Sequence, residues 1–267
     1  MTERALSRLE VPAPAPKPRN AGMTMFTDLG CGLHEQEDRM QVAGDFVDLA
    51  KLATSMVSTL PKEIIRKKVE LYRKYGVEAF PGGVQMEHAL YAHGMDIADY
   101  VFEEMKDLGL RVVEVSDNYL DLTLESKCKL IEKGAKEHGL KILAEAGDEV
   151  EETPLEALIH DCQSCKEAGA YKVLLEAAEL MDKKTGELKM HYLDAIKDAV
   201  GLEHIIFELP WVWLENVHWY QSFSSLAVMV KKLGPEVNLG NIEMSMLVYA
   251  QMIRNGAGTK LAKDRQV

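Results

Sequence analysis

Eight short apolar runs recur along the chain with a period of roughly 30 residues, and amphipathic segments separate them. The runs cover residues 23–27, 46–50, 77–80, 112–115, 141–144, 171–175, 204–207 and 237–239. Strands that alternate with helices form a parallel sheet covered by those helices. We therefore predict an α/β fold, a single-domain (β/α)8 barrel over residues 19–267. A polar residue or a glycine pair closes each run, and these residues should form a ring at the carboxyl ends of the strands.

The predicted helices have recognisable ends. Pro61 precedes a helix at residues 62–75, and glycines follow the helices predicted at residues 126–138 and 155–168. A doubly wound open sheet is the competing architecture, and it would need fewer strands and a topological switch point. The sequence has neither a G-x-G-x-x-G motif after the first strand nor a G-x-x-x-x-G-K-[ST] motif. We therefore favour the closed barrel.

Composition narrows the function classes. A length of 267 residues with 47% hydrophobic content suits one large domain, and the net charge of −12 argues against a nucleic-acid surface. No apolar run reaches the roughly 20 residues of a membrane helix, and the first residues lack a signal-peptide core. Residues 1–18 are predicted to be a flexible arm. Cys162 and Cys165 form a C-x-x-C on a predicted helix, and we expect reduced, partly buried thiols and a cytoplasmic location rather than metal or redox use.

Three glutamates follow buried runs directly, namely Glu145, Glu176 and Glu208. A buried carboxylate is costly unless a cation or hydrogen-bond donors satisfy it, so a positive charge is expected among them. Lys51, which closes the second run, is one candidate. A hard divalent cation such as Mg²⁺ is the other, because it favours carboxylate oxygens. The alternative is that these carboxylates form structural salt bridges and loop caps.

Other residues at the strand ends are candidates on weaker grounds. Asp28 and Asp117 extend the acidic ring, and alternation along the fourth strand puts Glu114 and Ser116 on one face. Two glycines after the third strand permit close backbone approach to a ligand, or simply make a sharp turn. Near the eighth strand and after it, the amide groups of Asn238 and Asn241 and the guanidinium group of Arg254 could bind an anion or could simply lie at the surface. These further candidates are Gly82, Gly83, Glu87, Asn238, Asn241 and Arg254.

The segment at residues 209–221 contains all three tryptophans of the chain. Trp211, Trp213 and Trp219 lie there with His218 and Tyr220. A loop after the seventh strand overhangs the mouth of a barrel, so this segment suggests an apolar wall or a contact between subunits of a homo-oligomer. Packing of the eighth helix is the alternative. His218 is a candidate acid or base there, or a packed or exposed histidine.

The ordered set of these segments resembles the phosphosulfolactate synthase family over nearly the whole chain. The matching segments are Lys-Pro-Arg-x-x-Gly-Met-Thr before Asp28, Val-Asp-Leu-Ala-Lys51, Phe-Pro-Gly-Gly with Glu87, Val-Glu-Val-Ser-Asp117, Ile-Leu-Ala-Glu145, Leu-Leu-Glu176, Ile-Ile-Phe-Glu208-Leu-Pro and Leu-Gly-Pro-Glu-Val-Asn-Leu-Gly-Asn-Ile242. The resemblance implies a (β/α)8 enzyme, a carbon-sulfur lyase that adds sulfite to phosphoenolpyruvate with Mg²⁺. Its product would be (R)-phosphosulfolactate, which feeds coenzyme M synthesis.

The resemblance assigns roles to residues of this sequence. Lys51 matches the lysine of strand two and is expected to be the acid or an anion clamp. The expected catalytic residues are Lys51, Asp117, Glu145 and Glu208, and the expected Mg²⁺ ligands are Asp28, Glu145 and Glu176. The expected substrate-binding residues are Gly82, Gly83, Glu87, Ser116, Trp211, His218, Asn238, Asn241 and Arg254.

Several cationic positions of the family are replaced in this sequence. Leu29 stands where the family has a lysine, Asp148 and Glu149 stand where it has two lysines, and Ala178 stands where it has an arginine. A pocket for phosphoenolpyruvate and sulfite needs such cations, since charge-assisted hydrogen bonds are the strong ones. Two alternatives to the synthase therefore stay open. One is a diverged lyase or hydratase for a less anionic, bulkier unsaturated substrate, and the other is a non-catalytic stress-associated or binding barrel.

Overall fold

In a computed structural model of the protein, the eight predicted strands form one parallel sheet. The structure describes residues 12–148, 152–211 and 217–256, together with Ala5, Arg8 and Leu214. The strands are β1 (Thr24–Asp28), β2 (Leu49–Leu52), β3 (Glu78–Pro81), β4 (Val112–Val115), β5 (Lys141–Ala146), β6 (Lys172–Leu175), β7 (Ile205–Glu208) and β8 (Leu239–Glu243). Their order is β3-β2-β1-β8-β7-β6-β5-β4, and the outermost strands β3 and β4 also lie side by side. The sheet is therefore nearly closed, and the predicted (β/α)8 barrel is confirmed.

Helices follow the strands and cover the outside of the sheet. Within the described residues they are α1 (Leu33–Ala43), α2 (Met56–Thr59), α3 (Lys62–Lys74), α4 (Val84–His93), α5 (Ala98–Asp107), α6 (Leu124–Glu132), α7 (Leu155–Glu167), α8 (Ala177–Leu180), α9 (Met190–Val200), α10 (Trp219–Leu233) and α11 (Leu247–Arg254). The three helices whose ends were predicted all form. A π-helical turn at Lys133–Glu137 extends α6, so the single helix predicted at residues 126–138 corresponds to α6 and this turn together. No helix in the described part of the chain is both long and apolar enough to span a membrane.

The inside of the barrel is filled by an apolar layer. It consists of Met23, Met25, Leu49, Phe80, Val112, Leu143, Leu174 and Ile206. Neighbouring strand residues such as Val173 and Leu175 instead pack outward against the helices. Because strand side chains alternate between faces, the residue two places beyond each of these layer residues also points inward. This alternation places a ring of polar side chains above the apolar layer.

The cysteines predicted to be structural are free and buried. Cys162 and Cys165 lie on the inner side of α7. Burial, and to a smaller extent the nearby Asp161 carboxylate, raise the pKa of the Cys162 thiol to about 12. A thiol with so high a pKa carries almost no thiolate at neutral pH, so these groups act as small core residues.

Candidate active site

A cavity of about 360 Å³ opens at the carboxyl ends of the strands. Side chains from most of the strand ends converge on it, as the ring of polar strand-end residues predicted. Its lining comprises Thr27, Leu29, Lys51, Ala53, Thr54, Gly82, Gly83, Val84, Glu114, Ser116, Asn118, Tyr119, Glu145, Glu176, Glu208 and Asn241. This is the end at which the active sites of (β/α)8 enzymes lie.

Three buried carboxylates meet at one side of the cavity. Oxygen atoms of Glu145, Glu176 and Glu208 all lie within 4.8 Å of one another. Glu176 also accepts a hydrogen bond of 3.0 Å from the backbone N–H of Ala178 and shares a hydrogen bond with Glu145. Burial, and then the negative charges of Glu208 and Glu145, raise the pKa of Glu176 well above its ordinary value. The cluster therefore holds a proton or a cation at neutral pH.

The geometry of this carboxylate cluster fits a hard divalent cation. Oxygen ligands on opposite sides of one Mg²⁺ stand about 4.2 Å apart, so small side-chain rotations bring the three carboxylates onto one ion. Such an ion would also remove the repulsion that raises the pKa of Glu176. Glu145 and Glu176 are thus suitable for the Mg²⁺ role expected from the sequence, and Glu208 is equally well placed.

Lys51 is the one cationic side chain among the described residues that line this cavity. Its Nζ lies 3.1 Å from Glu114 Oε2 and 3.7 Å from Glu208 Oε1, and its side chain is 15% exposed. Burial by itself lowers the pKa of Lys51, but the carboxylates of Glu114 and Glu208 outweigh burial and raise that pKa well above its ordinary value. Lys51 is therefore an ammonium group that still reaches the cavity, which suits either an anion clamp or a proton donor.

Glu114 is a charged residue of the site that was not among the predicted catalytic, metal-binding or substrate-binding residues. Its Oε1 accepts a 2.8 Å hydrogen bond from the backbone N–H of Gly83, and its Oε2 contacts Lys51. Burial raises the pKa of Glu114 to about 7, although Lys51 opposes the rise. A carboxyl group that titrates near neutrality is suited to returning a proton to the Lys51 amine after its ammonium group has given one up. The inward position of Glu114 on β4 was the signal available in the sequence.

The two glycines after β3 allow α4 to begin against the neighbouring strand. A Cβ atom on Gly83 would lie 1.9 Å from Ser116 Oγ, so no larger residue fits there. Ser116 donates a short hydrogen bond to Glu87, which also accepts from the backbone N–H groups of Tyr119 and Leu120. Ser116 lines the cavity, whereas Glu87 fixes the loop that follows β4 and is not part of the lining.

Asp28 and Asp117 do not join the carboxylate cluster, contrary to the expected metal and catalytic roles. Asp28 faces α3, where it pairs with Lys68 at 2.8 Å and accepts from Tyr72 at 2.6 Å. Asp117 faces α6, where it pairs with Lys127 at 3.0 Å. The physical reason is strand alternation, which turns both aspartates outward from the barrel interior.

Asn238 and Arg254 lie at the opposite end of the barrel, contrary to the expected substrate contacts. The Asn238 side chain accepts from the backbone N–H of Met23 and donates to the carbonyls of Leu202 and Ile205. Arg254 Nη2 donates to the Met23 carbonyl, at the amino end of β1. Both side chains are therefore used to tie the amino ends of the strands together. Asn241, by contrast, does line the cavity.

The aromatic segment after β7 is not part of the cavity lining in the described residues. Trp211 is buried away from the lining, Trp219 is exposed at the start of α10, and Trp213 lies outside the described residues. His218 is the N-cap residue of α10 and stacks on Tyr220. The aromatic side chain that does line the cavity is Tyr119, which no pattern in the sequence indicated. The same holds for Thr54 and Asn118.

The fold and the site together define the class of this protein. It is an enzyme with a (β/α)8 barrel, whose carboxyl-end cavity contains a charged lysine and buried carboxylates. The model of the (2R)-phospho-3-sulfolactate synthase (ComA) family matches residues 12–259. The chain belongs to this family.

Individual relatives cover most of the chain. The phosphosulfolactate synthase of Methanothermobacter thermautotrophicus is 30% identical over 250 residues, which are 90% of this chain and 91% of that protein. The protein HEAT-STRESS-ASSOCIATED 32 of Arabidopsis thaliana is 25% identical over 94% of this chain and 90% of its own length. Among solved structures, a truncated 3-deoxy-D-arabino-heptulosonate 7-phosphate synthase from Thermotoga maritima aligns with a TM-score of 0.56 at 11% identity. That alignment covers 90% of this chain and 86% of the other, and it supports the fold alone.

Proposed function

We propose that the protein catalyses the Mg²⁺-dependent addition of sulfite to phosphoenolpyruvate, giving (R)-phosphosulfolactate. The observation that carries this proposal is the cluster of Glu145, Glu176 and Glu208 beside the ammonium group of Lys51, in a barrel of this family. A conjugate addition to an unsaturated acid needs both parts. Charge that builds on the substrate carboxylate must be stabilised, and the adjacent carbon must receive a proton.

The carboxylate cluster would hold the metal ion. When bound by Glu145, Glu176 and Glu208, Mg²⁺ supplies charge stabilisation to the carboxylate of the substrate. Gly82, Gly83 and Val84 line the cavity where α4 begins, and the positive end of the helix dipole there favours an anion. The substrate would therefore lie between the cluster and the start of α4.

Lys51 is positioned to deliver the proton. The sulfur lone pair of sulfite forms a bond to the methylene carbon, and the electrons of the double bond move onto the neighbouring carbon and its carboxylate. An N–H of Lys51 then protonates that carbon, and Glu114 at 3.1 Å is placed to return a proton to the amine. Removing Lys51 should thus stop turnover and leave the carboxylates in place.

A second candidate is a lyase or hydratase for a less anionic unsaturated substrate. Lys51 is the one Lys or Arg among the described residues that line the cavity, and Leu29 lines it where the family has a lysine. Two highly charged substrates need more cationic partners than this, because each charge-assisted hydrogen bond that is lost weakens binding by about 1.5–3 kcal/mol. The third alternative is a non-catalytic barrel. It is supported by the similarity to HEAT-STRESS-ASSOCIATED 32, a relative named for heat stress rather than for a reaction.

The deciding experiment measures sulfite-dependent loss of phosphoenolpyruvate with Mg²⁺ and detects the product by phosphorus NMR. We expect turnover by the unaltered protein, a loss of about 100-fold or more in Lys51→Met, and normal turnover in Glu243→Gln. The second variant is a matched control, because Glu243 is an exposed strand-end glutamate outside the cavity lining. Folded protein that binds Mg²⁺ but consumes no phosphoenolpyruvate would reject the synthase reaction in favour of the second candidate. Folded protein without Mg²⁺ binding and without turnover would favour the non-catalytic barrel.

A further inference from the structure

A second cavity, of about 320 Å³, lies at the amino-terminal end of the barrel. The apolar layer inside the barrel, to which Met23, Leu49 and Val112 belong, separates it from the candidate active site. Its lining comprises Lys17, Pro18, Arg19, Met23, Asp48, Leu49, Arg73, Gly76, Val77, Glu78, Val112, Lys141 and Tyr171. Four of these residues are cationic and two are acidic, in a chain whose formal net charge is −12.

Only one of the four cations has a carboxylate partner among the described residues. Arg19 pairs with Asp48 at 2.7 Å. Lys17 Nζ donates instead to two backbone carbonyls, those of Gly44 at 2.7 Å and Tyr75 at 2.9 Å. Burial lowers the pKa of Lys17 to about 8; the Asp48 carboxylate is the largest opposing effect, and Arg19 adds a smaller lowering. The direct partners of this ammonium group are thus carbonyl groups, and the carboxylates of Asp48 and Asp45 act on it only from a distance.

The other two cations of this cavity lie at its rim. Lys141 Nζ sits 4.8 Å from the centre of the Tyr171 ring, and an Arg73 nitrogen donates to the carbonyl of Gly109. Neither has a carboxylate within 4.0 Å in the described part of the chain. Lys172 Nζ lies 5.2 Å from the centre of the same Tyr171 ring, so two ammonium groups contact one aromatic side chain.

Positive charge continues just outside this lining. Lys172 Nζ donates to the carbonyls of Asn20 and Glu203, and the Arg254 guanidinium donates to carbonyls including that of Met23. Burial lowers the pKa of both side chains, that of Arg254 to about 10. Carbonyl dipoles satisfy the N–H groups of these cations, and carboxylates act on them only from a distance, Glu203 on Lys172 and Asp48 and Glu236 on Arg254. This end of the barrel therefore concentrates positive potential in a cavity.

We propose that the amino-terminal cavity binds a small dianion of the phosphate type. Lys17, Lys141 and Arg73 supply the charge, and a cavity of about 320 Å³ has room for one phosphate group with a short organic chain. Lysine and arginine bind phosphate oxygens through charge-assisted hydrogen bonds, which bring the missing counter-charge. The same chemistry serves inorganic phosphate and a phosphate monoester, and the site is independent of the reaction at the other end of the barrel.

The test titrates the full chain with inorganic phosphate and separately with glycerol 3-phosphate, at constant ionic strength set with chloride. Binding is followed calorimetrically in four proteins. These are the unaltered chain, Arg73→Gln/Lys141→Gln, Lys51→Gln and Lys129→Gln. Arg73 and Lys141 are exposed, so their replacement leaves the core intact, and Lys129 is an exposed lysine on α6 that serves as the matched control.

We expect saturable binding in the unaltered chain, in Lys51→Gln and in Lys129→Gln, and binding at least about tenfold weaker in the double variant. The tighter of the two probes identifies the source, free phosphate or a phosphorylated metabolite. Binding that disappears in Lys51→Gln and persists in Arg73→Gln/Lys141→Gln would assign the anion to the active-site cavity and overturn the proposal. The absence of saturable binding, or equal binding of chloride, would overturn it as well.

Discussion

Replacing Lys51 with methionine tests whether charge balance maintains the candidate active site. The substitution keeps a side chain of similar length and removes one positive charge. Lys51 Nζ lies 3.1 Å from Glu114 and 3.7 Å from Glu208, and both carboxylates are buried. After the change, four buried glutamates of the cavity lining face one another without a cation from that lining in the described residues. We therefore expect the folded state to lose stability as well as activity.

The distances set the size of the effect. At an effective dielectric constant near 20, each of the two contacts is worth about 5 kcal/mol of Coulomb energy before solvation is counted. Removing Lys51 also removes the cost of burying its charge, so the net loss is smaller. Deleting one partner of a buried ion pair typically costs about 3–5 kcal/mol. We expect this loss at pH 8, and it corresponds to a lowering of Tm by about 6 to 20 °C.

The loss of stability in Lys51→Met should depend on pH in a defined direction. Burial raises the pKa of Glu114 from 4.5 to about 7, so between these values the folded state binds more protons than the unfolded state. Stability from this group is thus present below pH 4.5 and is lost as the pH rises towards 7. Without Lys51 the pKa of Glu114 rises further, because its opposing charge is gone. The destabilisation should be small at pH 5 and large at pH 8.

The assay is urea unfolding at pH 5 and pH 8, monitored by circular dichroism. Lys129→Met, which removes an exposed lysine of α6, is the control and should change stability little at either pH. The double variant Lys51→Met/Glu114→Gln should regain part of the stability at pH 8. Equal destabilisation of Lys51→Met at both pH values would refute the electrostatic reasoning and would indicate lost packing instead.

Three further predictions concern the metal ion and the packing around the site. Mg²⁺ at 100 times its dissociation constant should stabilise the protein by about 2.7 kcal/mol, and Glu145→Gln or Glu176→Gln should abolish the shift in a thermal melt. Gly83→Ala should lower Tm and activity together, because its Cβ would meet Ser116 Oγ at 1.9 Å; an unchanged melt would show that α4 moves freely. Asp28→Asn should cost about 3–5 kcal/mol in urea unfolding and leave the Mg²⁺ shift intact, since Asp28 pairs with buried Lys68; loss of the shift would return Asp28 to the metal site.

Much of the fold and part of the site follow from the period of the sequence. Each predicted apolar run overlaps a strand, because strands buried on both sides need continuous apolar residues. Three glutamates meet as expected, because Glu145, Glu176 and Glu208 close inward-facing positions. The same alternation, applied strictly, would have rejected Asp28 and Asp117 and selected Glu114. A position at the end of a strand therefore does not by itself place a side chain in the cavity. The side chain must also lie on the face of the strand that points into the barrel.

Other features of the site depend on contacts that a single sequence does not encode. Arg254 lies at the amino end of the barrel because backbone carbonyls there accept from its guanidinium group, and those partners become visible only after folding. Thr54 adopts a positive φ of 43° in the loop after β2, and Asn118 and Tyr119 enter the cavity from the loop after β4. Loop positions of this kind follow no hydrophobic period, so periodicity gives no information about them.

Charge balance connects the carboxylate cluster with the question of the substrate. Four glutamates line the cavity, and Glu145 and Glu176 share a hydrogen bond that requires one proton between them. A divalent cation held by the cluster would displace this proton, and the cation and Lys51 together would then supply three positive charges against four negative ones. Phosphoenolpyruvate and sulfite would then enter a site without surplus positive charge, where the positive end of the α4 helix dipole and neutral polar side chains of the lining would have to offset their charge. Bringing a negatively charged substrate into such a site costs free energy, and each negative charge that the substrate lacks lowers that cost. The order of reactivity among unsaturated acids of decreasing charge therefore measures how far the site has diverged from the synthase reaction.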